Sequence, residues 1–170
     1  MHLLIILANS HFLWYNYTIF INQLQAFWGE NMNISSNGYY KNRHSCYLLQ
    51  YHLVLVTKYR KPAIQGAVEE ELRQYFTRYF KDRDLKVQAM KFMPDHVHIL
   101  FDAKPNMNLG EFVNALKSAS SRRVRKLFPK ELGHYYWKPY FWSLSYFIGS
   151  VSDRTAETVR TYIQNQKDKD

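Results

Sequence analysis

The chain has 170 residues, the size of one domain with a small appendage. Hydrophobic residues make up 46% of it and aromatic residues 17%, a composition that excludes a disordered chain. The formal net charge of +9 favours a polyanion such as nucleic acid as the partner. The single cysteine, Cys46, excludes an intramolecular disulfide, which fits a cytoplasmic protein, and its apolar surroundings predict a buried, inert thiol.

The first 28 residues contain no Asp, Glu, Lys or Arg. They are long enough for a membrane-spanning helix of about 20 residues, but Asn, Gln and His interrupt them and the basic start of a signal peptide is missing. Three interpretations remain open: a non-native upstream extension, an accessory segment packed on the domain, or a membrane anchor. We take residues 1–40 as a non-native or accessory extension, with Met32 as an alternative start, and residues 41–170 as the functional domain, and we expect no membrane.

The first half of the domain has the pattern of a strand, a helix and a hairpin. Residues 45–59 form an apolar, β-branched run without Gly or Pro, which predicts a central strand. Apolar residues recur at helical spacing over residues 68–82. Residues 85–92 and 96–102 then read as two strands joined by a Pro-Asp turn.

The second half predicts a helix, a strand and a final helix. Asn108 is a candidate cap, with Glu111 three residues later, for a helix that carries apolar residues as far as Val124. Residues 140–151 read as the fourth strand, and Thr155 is a candidate cap for the last helix. This order is the split βαβ pattern, so we expect an α+β, ferredoxin-like fold with an antiparallel sheet, similar to an RRM, plus an extra C-terminal helix.

His96 and His98 are separated by one apolar residue in a predicted strand. Residues at i and i+2 of a strand point to the same face, so both imidazoles can reach one metal ion. Two imidazoles are too few for structural zinc, and one cysteine cannot complete a thiolate set. An oxygen ligand from elsewhere, with open positions left over, would suit Mg²⁺ or Mn²⁺ acting on a phosphate. The alternative is a pair of half-exposed strand histidines with satisfied hydrogen bonds.

Tyr162 and Gln166 lie four residues apart on the predicted last helix and therefore share a face. If the amide oxygen of Gln166 binds the metal, Tyr162 stands beside that metal. A phenol, with a pKa of about 10, is a weak nucleophile at neutral pH, but a metal that stabilises charge in the transition state compensates. Without the histidines, Tyr162 would be an ordinary helix aromatic.

Basic side chains concentrate in two places and are candidate contacts to nucleic-acid phosphates, whose binding would depend strongly on salt; the alternative is a solvated basic face. They are Lys58, Arg60, Lys61, Lys117, Arg122, Arg123, Arg125 and Lys126. Aromatic residues such as Trp137, Tyr140 and Trp142 could stack on bases or pack in the core. His52 could face either the core or the site, and the sequence assigns it no role.

Residues 93–100 resemble the HUH motif, His-hydrophobe-His, of the single-tyrosine transposases of the insertion-sequence-200 group. Four further blocks resemble, in the family's order, its opening strand, basic helix, last strand and nucleophile helix. These are residues 51–62, 117–123, 141–151 and 158–166. The resemblance therefore runs from about residue 45 to residue 166, and five blocks in the expected order make it specific.

The resemblance implies that His96, His98 and Gln166 hold one Mg²⁺ or Mn²⁺. Tyr162 would attack a phosphodiester of single-stranded DNA, forming a 5′-phosphotyrosine and freeing a 3′-OH, and a hydroxyl would later reseal the DNA. Such enzymes act on DNA hairpins near element ends, as homodimers in which the nucleophile helix of one subunit completes the site of the other. The alternatives are a relative that handles genomic palindromes, a non-catalytic nucleic-acid-binding module, and a metal phosphodiesterase that uses water.

Overall fold

A computed structural model describes residues 38–41 and 43–165, and the chain divides into two compact units, residues 1–47 and residues 48–170. The interpretations offered for residues 1–28, the alternative start at Met32 and the proposed ligand Gln166 all lie outside the described residues.

The described part of the first unit is a small antiparallel hairpin. Strand β1 (Tyr40–Lys41) pairs with β2 (Cys46–Tyr47), and the Tyr40 and Tyr47 rings stack with centroids 5.5 Å apart. Cys46 is exposed, so the prediction of a buried thiol is wrong. The predicted long strand is interrupted after Tyr47, which leaves the thiol in a two-residue strand rather than in the central sheet.

The second unit holds the predicted strands and helices in the predicted order, together with a 3₁₀ turn and a short helix that the sequence analysis did not predict. They are β3 (Leu49–Val56), a 3₁₀ turn (Lys58–Arg60), α1 (Gly66–Lys81), β4 (Val87–Met93), β5 (His96–Ala103), α2 (Leu109–Leu127), α3 (Pro129–Gly133), β6 (Phe147–Val151) and α4 (Asp153–Asn165). The strands form an antiparallel sheet of order β4-β5-β3-β6. This arrangement confirms the α+β, ferredoxin-like prediction. Strand β5 lies between β3 and β4, the two strands that α1 connects, and this insertion defines the split βαβ unit.

One face of the sheet carries the core. Alternate residues of β5, including Val97, Ile99 and Phe101, are fully buried. Phe101 packs edge-on against Phe80 of α1 with ring centroids 5.1 Å apart, and Phe112 of α2 completes the cluster at 5.7 Å from Phe101. Helices α1 and α2 therefore cover this face, and the intervening β5 residues, among them the two histidines, point to the other face.

Helix α4 contacts β4, β5 and β6. It begins at Asp153, two residues before the predicted cap. Thr155 instead accepts a hydrogen bond from the Ser152 N–H at 3.1 Å through its hydroxyl, which stabilises the first turn. The predicted cap of α2 is confirmed, since the Asn108 side chain accepts from the Glu111 N–H at 3.2 Å.

The fourth strand is shorter than predicted and covers residues 147–151 rather than 140–151. Trp142 makes only an isolated bridge to Thr57, and it is 7% exposed. Its indole N–H donates to the Ser120 hydroxyl at 3.0 Å. The aromatic residues that suggested a strand serve here to pack over the core. None of the helices in the described residues has the length and apolar character needed to cross a membrane.

Candidate active site

The two histidines of the predicted motif lie side by side on one face of β5. They follow directly after the turn at Pro94 and Asp95 that joins β4 to β5. The centroids of the His96 and His98 rings are 4.9 Å apart and the rings are nearly perpendicular. The two-residue period of the strand thus produces the convergence that the sequence predicted.

Each imidazole is held through its Nδ1 atom. His96 Nδ1 lies 2.5 Å from a carboxylate oxygen of Asp95, and the other oxygen of that carboxylate pairs with Arg60 Nε at 3.0 Å. His98 Nδ1 lies 2.9 Å from Nε2 of His52, which is on the neighbouring strand β3. In both histidines the nitrogen left for a ligand is therefore Nε2.

Nε2 of His98 is a buried atom with no hydrogen-bond partner among the described residues. A buried polar atom left unsatisfied costs about 1–3 kcal/mol, so such an atom calls for an explanation. A divalent ion bound at this nitrogen would remove the cost. The donor set therefore fits a metal that binds imidazole nitrogen.

The environment keeps the central histidines uncharged. The pKa of His98 is lowered to about 4, first by burial and then by the neighbouring His96 and His52. Burial also lowers the pKa of His52. At neutral pH both rings are uncharged, and His98 offers a lone pair to a metal without first losing a proton.

Tyr162 lies beside this histidine pair. Its ring centroid is 6.0 Å from that of His98, and the two rings are perpendicular. The Tyr162 side chain is 54% exposed, so a phosphodiester has access to the phenol. The histidines and the tyrosine belong to the same chain here, whereas the resemblance implied a tyrosine supplied by the partner.

A hydrogen-bonded chain connects α4 to the sheet next to Tyr162. Arg160 donates to the side-chain oxygen of Gln88 on β4 at 3.3 Å, and the Gln88 amide donates to Asp102 at 2.7 Å. Asp102, which is 4% exposed, also accepts from Gln50 at 2.9 Å. These contacts help to fix the helix that carries the tyrosine.

The structure does not bring a complete ligand set together. Among the described residues, no three His, Cys, Asp or Glu side chains are arranged to hold a metal ion. The predicted third ligand, Gln166, directly follows the last described residue of α4, so its role stays a prediction.

The predicted DNA-binding residues fall into three environments. On α2, Arg122 and Lys126 are exposed, while Arg123 pairs with Glu71 and Arg125 donates to the Tyr140 carbonyl at 2.8 Å. Lys61 is exposed in the turn after β3. In the same turn Arg60 pairs with Asp95, and the Lys58 ammonium lies over the Tyr59 and Tyr140 rings. The turn is strained, because Tyr59 and Arg60 have φ values of 61° and 51°.

Lys117 is the exception among the basic residues. It is 9% exposed, and its ammonium donates to the Leu144 carbonyl at 2.6 Å. Burial lowers its pKa. Lys117 thus anchors the segment before β6, and a phosphate contact by this residue stays a prediction that would require the loop to move.

His52 is the site residue that sequence reasoning did not assign. Its position alternates with buried Leu53 in an apolar strand, which allowed it to face either side of the sheet. The register of β3 against β5 places it opposite Leu100, two residues along β5 from His98 and therefore on the same face of the sheet. No local signal encodes that register, so only the pairing of the strands identifies His52 as part of the site.

Residues 45–166 match the family model described as "Transposase IS200 like". The ISDra2 transposase TnpA of Deinococcus radiodurans is 38% identical over 130 residues, which is 76% of this chain and 92% of that protein. The IS200 transposase of Salmonella typhimurium is 26% identical over 127 residues, covering 75% of this chain and 82% of the relative.

Solved structures agree with this relationship. A crystal structure of a Deinococcus radiodurans protein assigned as a transposase superimposes with a TM-score of 0.61 at 36% identity, covering 76% of this chain and 98% of the other. A REP-associated tyrosine transposase, bound to a REP hairpin, matches with a TM-score of 0.51 over 72% of this chain and 70% of its own. At 12% identity the second likeness supports the fold alone. With paired imidazoles, an adjacent tyrosine and a family match over residues 45–166, this chain belongs to the IS200-like transposase family.

Proposed function

We propose that this DNA transposase cleaves and rejoins single-stranded DNA through a covalent bond to Tyr162, with a divalent metal held by His96, His98 and Gln166. One observation carries the proposal: the Tyr162 ring lies 6.0 Å from His98, whose Nε2 is buried and without a hydrogen-bond partner in the described residues. The proposed nucleophile and the proposed metal-binding histidine are thus neighbours on the same face of the sheet.

In the cleavage step the Tyr162 oxygen attacks the phosphorus atom of a phosphodiester. The new oxygen–phosphorus bond forms a 5′-phosphotyrosine, the bond to the 3′ oxygen breaks, and the phenol gives up its proton while the departing 3′ oxygen gains one. A bound Mg²⁺ or Mn²⁺ would polarise the phosphoryl oxygen and stabilise the charge of the transition state. A 3′-OH then attacks the phosphotyrosine, which reverses the exchange and reseals DNA without ATP.

Exposed basic residues on this chain support DNA binding. Arg122 and Lys126 of α2 and Lys61 after β3 are exposed and basic, in a chain with a formal net charge of +9. The REP-associated relative is described as bound to a hairpin. We therefore propose hairpin-bearing single-stranded DNA as the substrate, held mainly by phosphate contacts.

We also propose that the protein acts as a homodimer with shared active sites, in which α4 of each subunit moves from the position described above to the equivalent position on the other subunit. Strand β6 lies at an edge of the sheet, and near it Leu144 is 88% and Phe147 57% exposed. Exposed apolar residues at an open strand edge are typical of an interface.

Mixed dimers test whether the sites are shared. Dimers formed from Tyr162→Phe and His98→Ala subunits contain one intact site only if the tyrosine and the histidines of a site come from different subunits. We expect such mixtures to regain cleavage, whereas each variant alone is inactive. If α4 serves its own chain throughout the reaction, as in the arrangement described above, the mixture stays inactive.

Covalent trapping tests the chemistry. We expect the protein with Mn²⁺ to form an adduct with labelled, hairpin-bearing single-stranded DNA but not with the duplex. Tyr162→Phe should abolish the adduct, whereas Tyr75→Phe, on the opposite side of the sheet, should not. Cleavage that persists in Tyr162→Phe would indicate hydrolysis by water instead, and binding with neither cleavage nor adduct would indicate a binding module.

Metal-site variants complete the test. His96→Ala and His98→Ala should each abolish cleavage and leave hairpin binding nearly intact, because the exposed Arg122 and Lys126 lie on α2, across the sheet from the histidines. Wild-type cleavage by both variants in the presence of a chelator would contradict the metal assignment.

A further inference from the structure

His52 is a half-buried histidine to which neither the motif nor the proposed reaction assigns a role. It stacks on His98, with ring centroids 5.1 Å apart and planes 22° apart, and its Nε2 lies 2.9 Å from His98 Nδ1. We infer that His52 is a positioning residue that holds His98 in the tautomer whose Nε2 lone pair is free to bind the metal. The inference rests on the proposed metal site and adds to it a residue from a different strand.

The hydrogen bond has two possible directions, and they have different consequences for the metal. If His98 Nδ1–H donates to His52 Nε2, the Nε2 of His98 carries a lone pair. If His52 donates instead, the Nε2 of His98 carries a hydrogen that has no acceptor among the described residues. Only the first direction makes His98 a ligand, since a metal binds the unprotonated nitrogen. His52 must then act as an uncharged acceptor.

The other imidazole of the pair has an equivalent support. His96 Nδ1 is bonded to the Asp95 carboxylate, and that carboxylate is an acceptor that requires Nδ1 to carry the hydrogen. The two histidines are therefore held in the same tautomer by different partners: a carboxylate from the turn for His96 and an imidazole from β3 for His98. Partners of this kind fix the orientation of metal-binding histidines.

The His52 ring is itself held in place. Phe147 of β6 packs edge-on against it, with centroids 5.9 Å apart. The Phe147 ring in turn covers Gly149, where an added Cβ would come within 3.0 Å of it. Gly149 lies directly opposite His52 in the strand pairing. The contact with Phe147 thus helps to hold the His52 ring in the orientation of its hydrogen bond with His98.

Two substitutions of His52 test separately its hydrogen-bond acceptor and its aromatic ring. His52→Phe keeps an aromatic ring on the stack and removes the acceptor, whereas His52→Gln keeps an oxygen acceptor at a similar distance from the backbone. On the full chain, Mn²⁺ affinity is measured from the loss of the electron paramagnetic resonance signal of free Mn²⁺. We expect His52→Phe to weaken binding about 10- to 100-fold and His52→Gln to restore most of the loss. Thermal unfolding and hairpin binding should stay as in the wild type.

Nuclear magnetic resonance of ¹⁵N-histidine in the metal-free protein reads the tautomer directly. We expect the wild type to show His98 protonated at Nδ1 and unprotonated at Nε2, and His52→Phe to show a mixture. A wild-type His98 protonated at Nε2 would overturn the inference, and so would unchanged Mn²⁺ affinity in a folded His52→Phe.

Failure of the inference differs from failure of the proposed function. If His98→Ala loses Mn²⁺ binding but His52→Phe does not, only the role of His52 is refuted. If neither His96→Ala nor His98→Ala changes Mn²⁺ affinity, the metal site itself is wrong and the role of His52 falls with it.

Discussion

Mild acid should destabilise the metal-free protein through His98. This side chain is 6% exposed, and its pKa in the folded protein is lowered to about 4 from an unfolded value of 6.5. Between these two pKa values the histidine is protonated in the unfolded chain but not in the folded chain. The free energy of unfolding therefore falls as the pH drops through this window. With these two values, His98 removes about 2 kcal/mol of unfolding free energy between pH 7 and pH 5.

Urea unfolding followed by tryptophan fluorescence, with a chelator present, measures this loss. Other groups also titrate, so the matched variant His98→Asn, which does not, provides the reference. The wild-type free energy of unfolding minus that of the variant should fall by about 2 kcal/mol from pH 7 to pH 5. The exposed His134→Asn should leave the wild-type pH dependence in place. If the difference in free energy of unfolding between the wild type and His98→Asn is the same at pH 7 and pH 5, within the extrapolation error, the burial argument is refuted.

Three further predictions concern stability, docking and DNA. Ser120→Ala should lower the free energy of unfolding by about 1–3 kcal/mol, because it leaves the buried Trp142 N–H without its acceptor. The control Ser118→Ala, at an exposed position, should lower it by less than about 0.5 kcal/mol. Equal losses in the two variants would contradict this reasoning. Arg160→Ala removes a hydrogen bond from α4 to β4 and should speed amide exchange in α4 about 2- to 10-fold; an unchanged rate would mean that packing alone docks the helix. Lys126→Gln should reduce the slope of log binding constant against log salt by about 1, and an unchanged slope would remove this residue from the DNA interface.

Local patterns in the sequence were sufficient to predict the four strands of the main sheet, the three long helices and their order. The alternation of His96, His98 and apolar residues fixes which side chains share a face, because a strand repeats every two residues. Helical spacing and the Asn108 cap likewise act within a few residues, and the observed α2 begins as predicted, directly after Asn108. The split βαβ topology follows from that order, and the five family blocks identified the chemistry to test.

Several features depended on which residues far apart in the chain become neighbours. His52 and His98 are 46 positions apart, and only the register of β3 against β5 joins them. The burial of Lys117 and the exposure of Cys46 were likewise set by what covers each position, which no local pattern records. The aromatic run before β6 has a strand-like composition. Trp142 instead packs on the core, where its indole N–H donates a hydrogen bond to Ser120 of α2.

The placement of Tyr162 shows the same division. Its residue type and its place on a helix were evident from the chain alone, as was the pairing of His96 with His98. Their meeting was decided by α4 docking on the histidine-bearing face of the sheet, because α1 and α2 already cover the other face. Sequence determines periodicity and order through interactions between near neighbours, whereas the site forms only when strand pairing and helix packing bring distant side chains together.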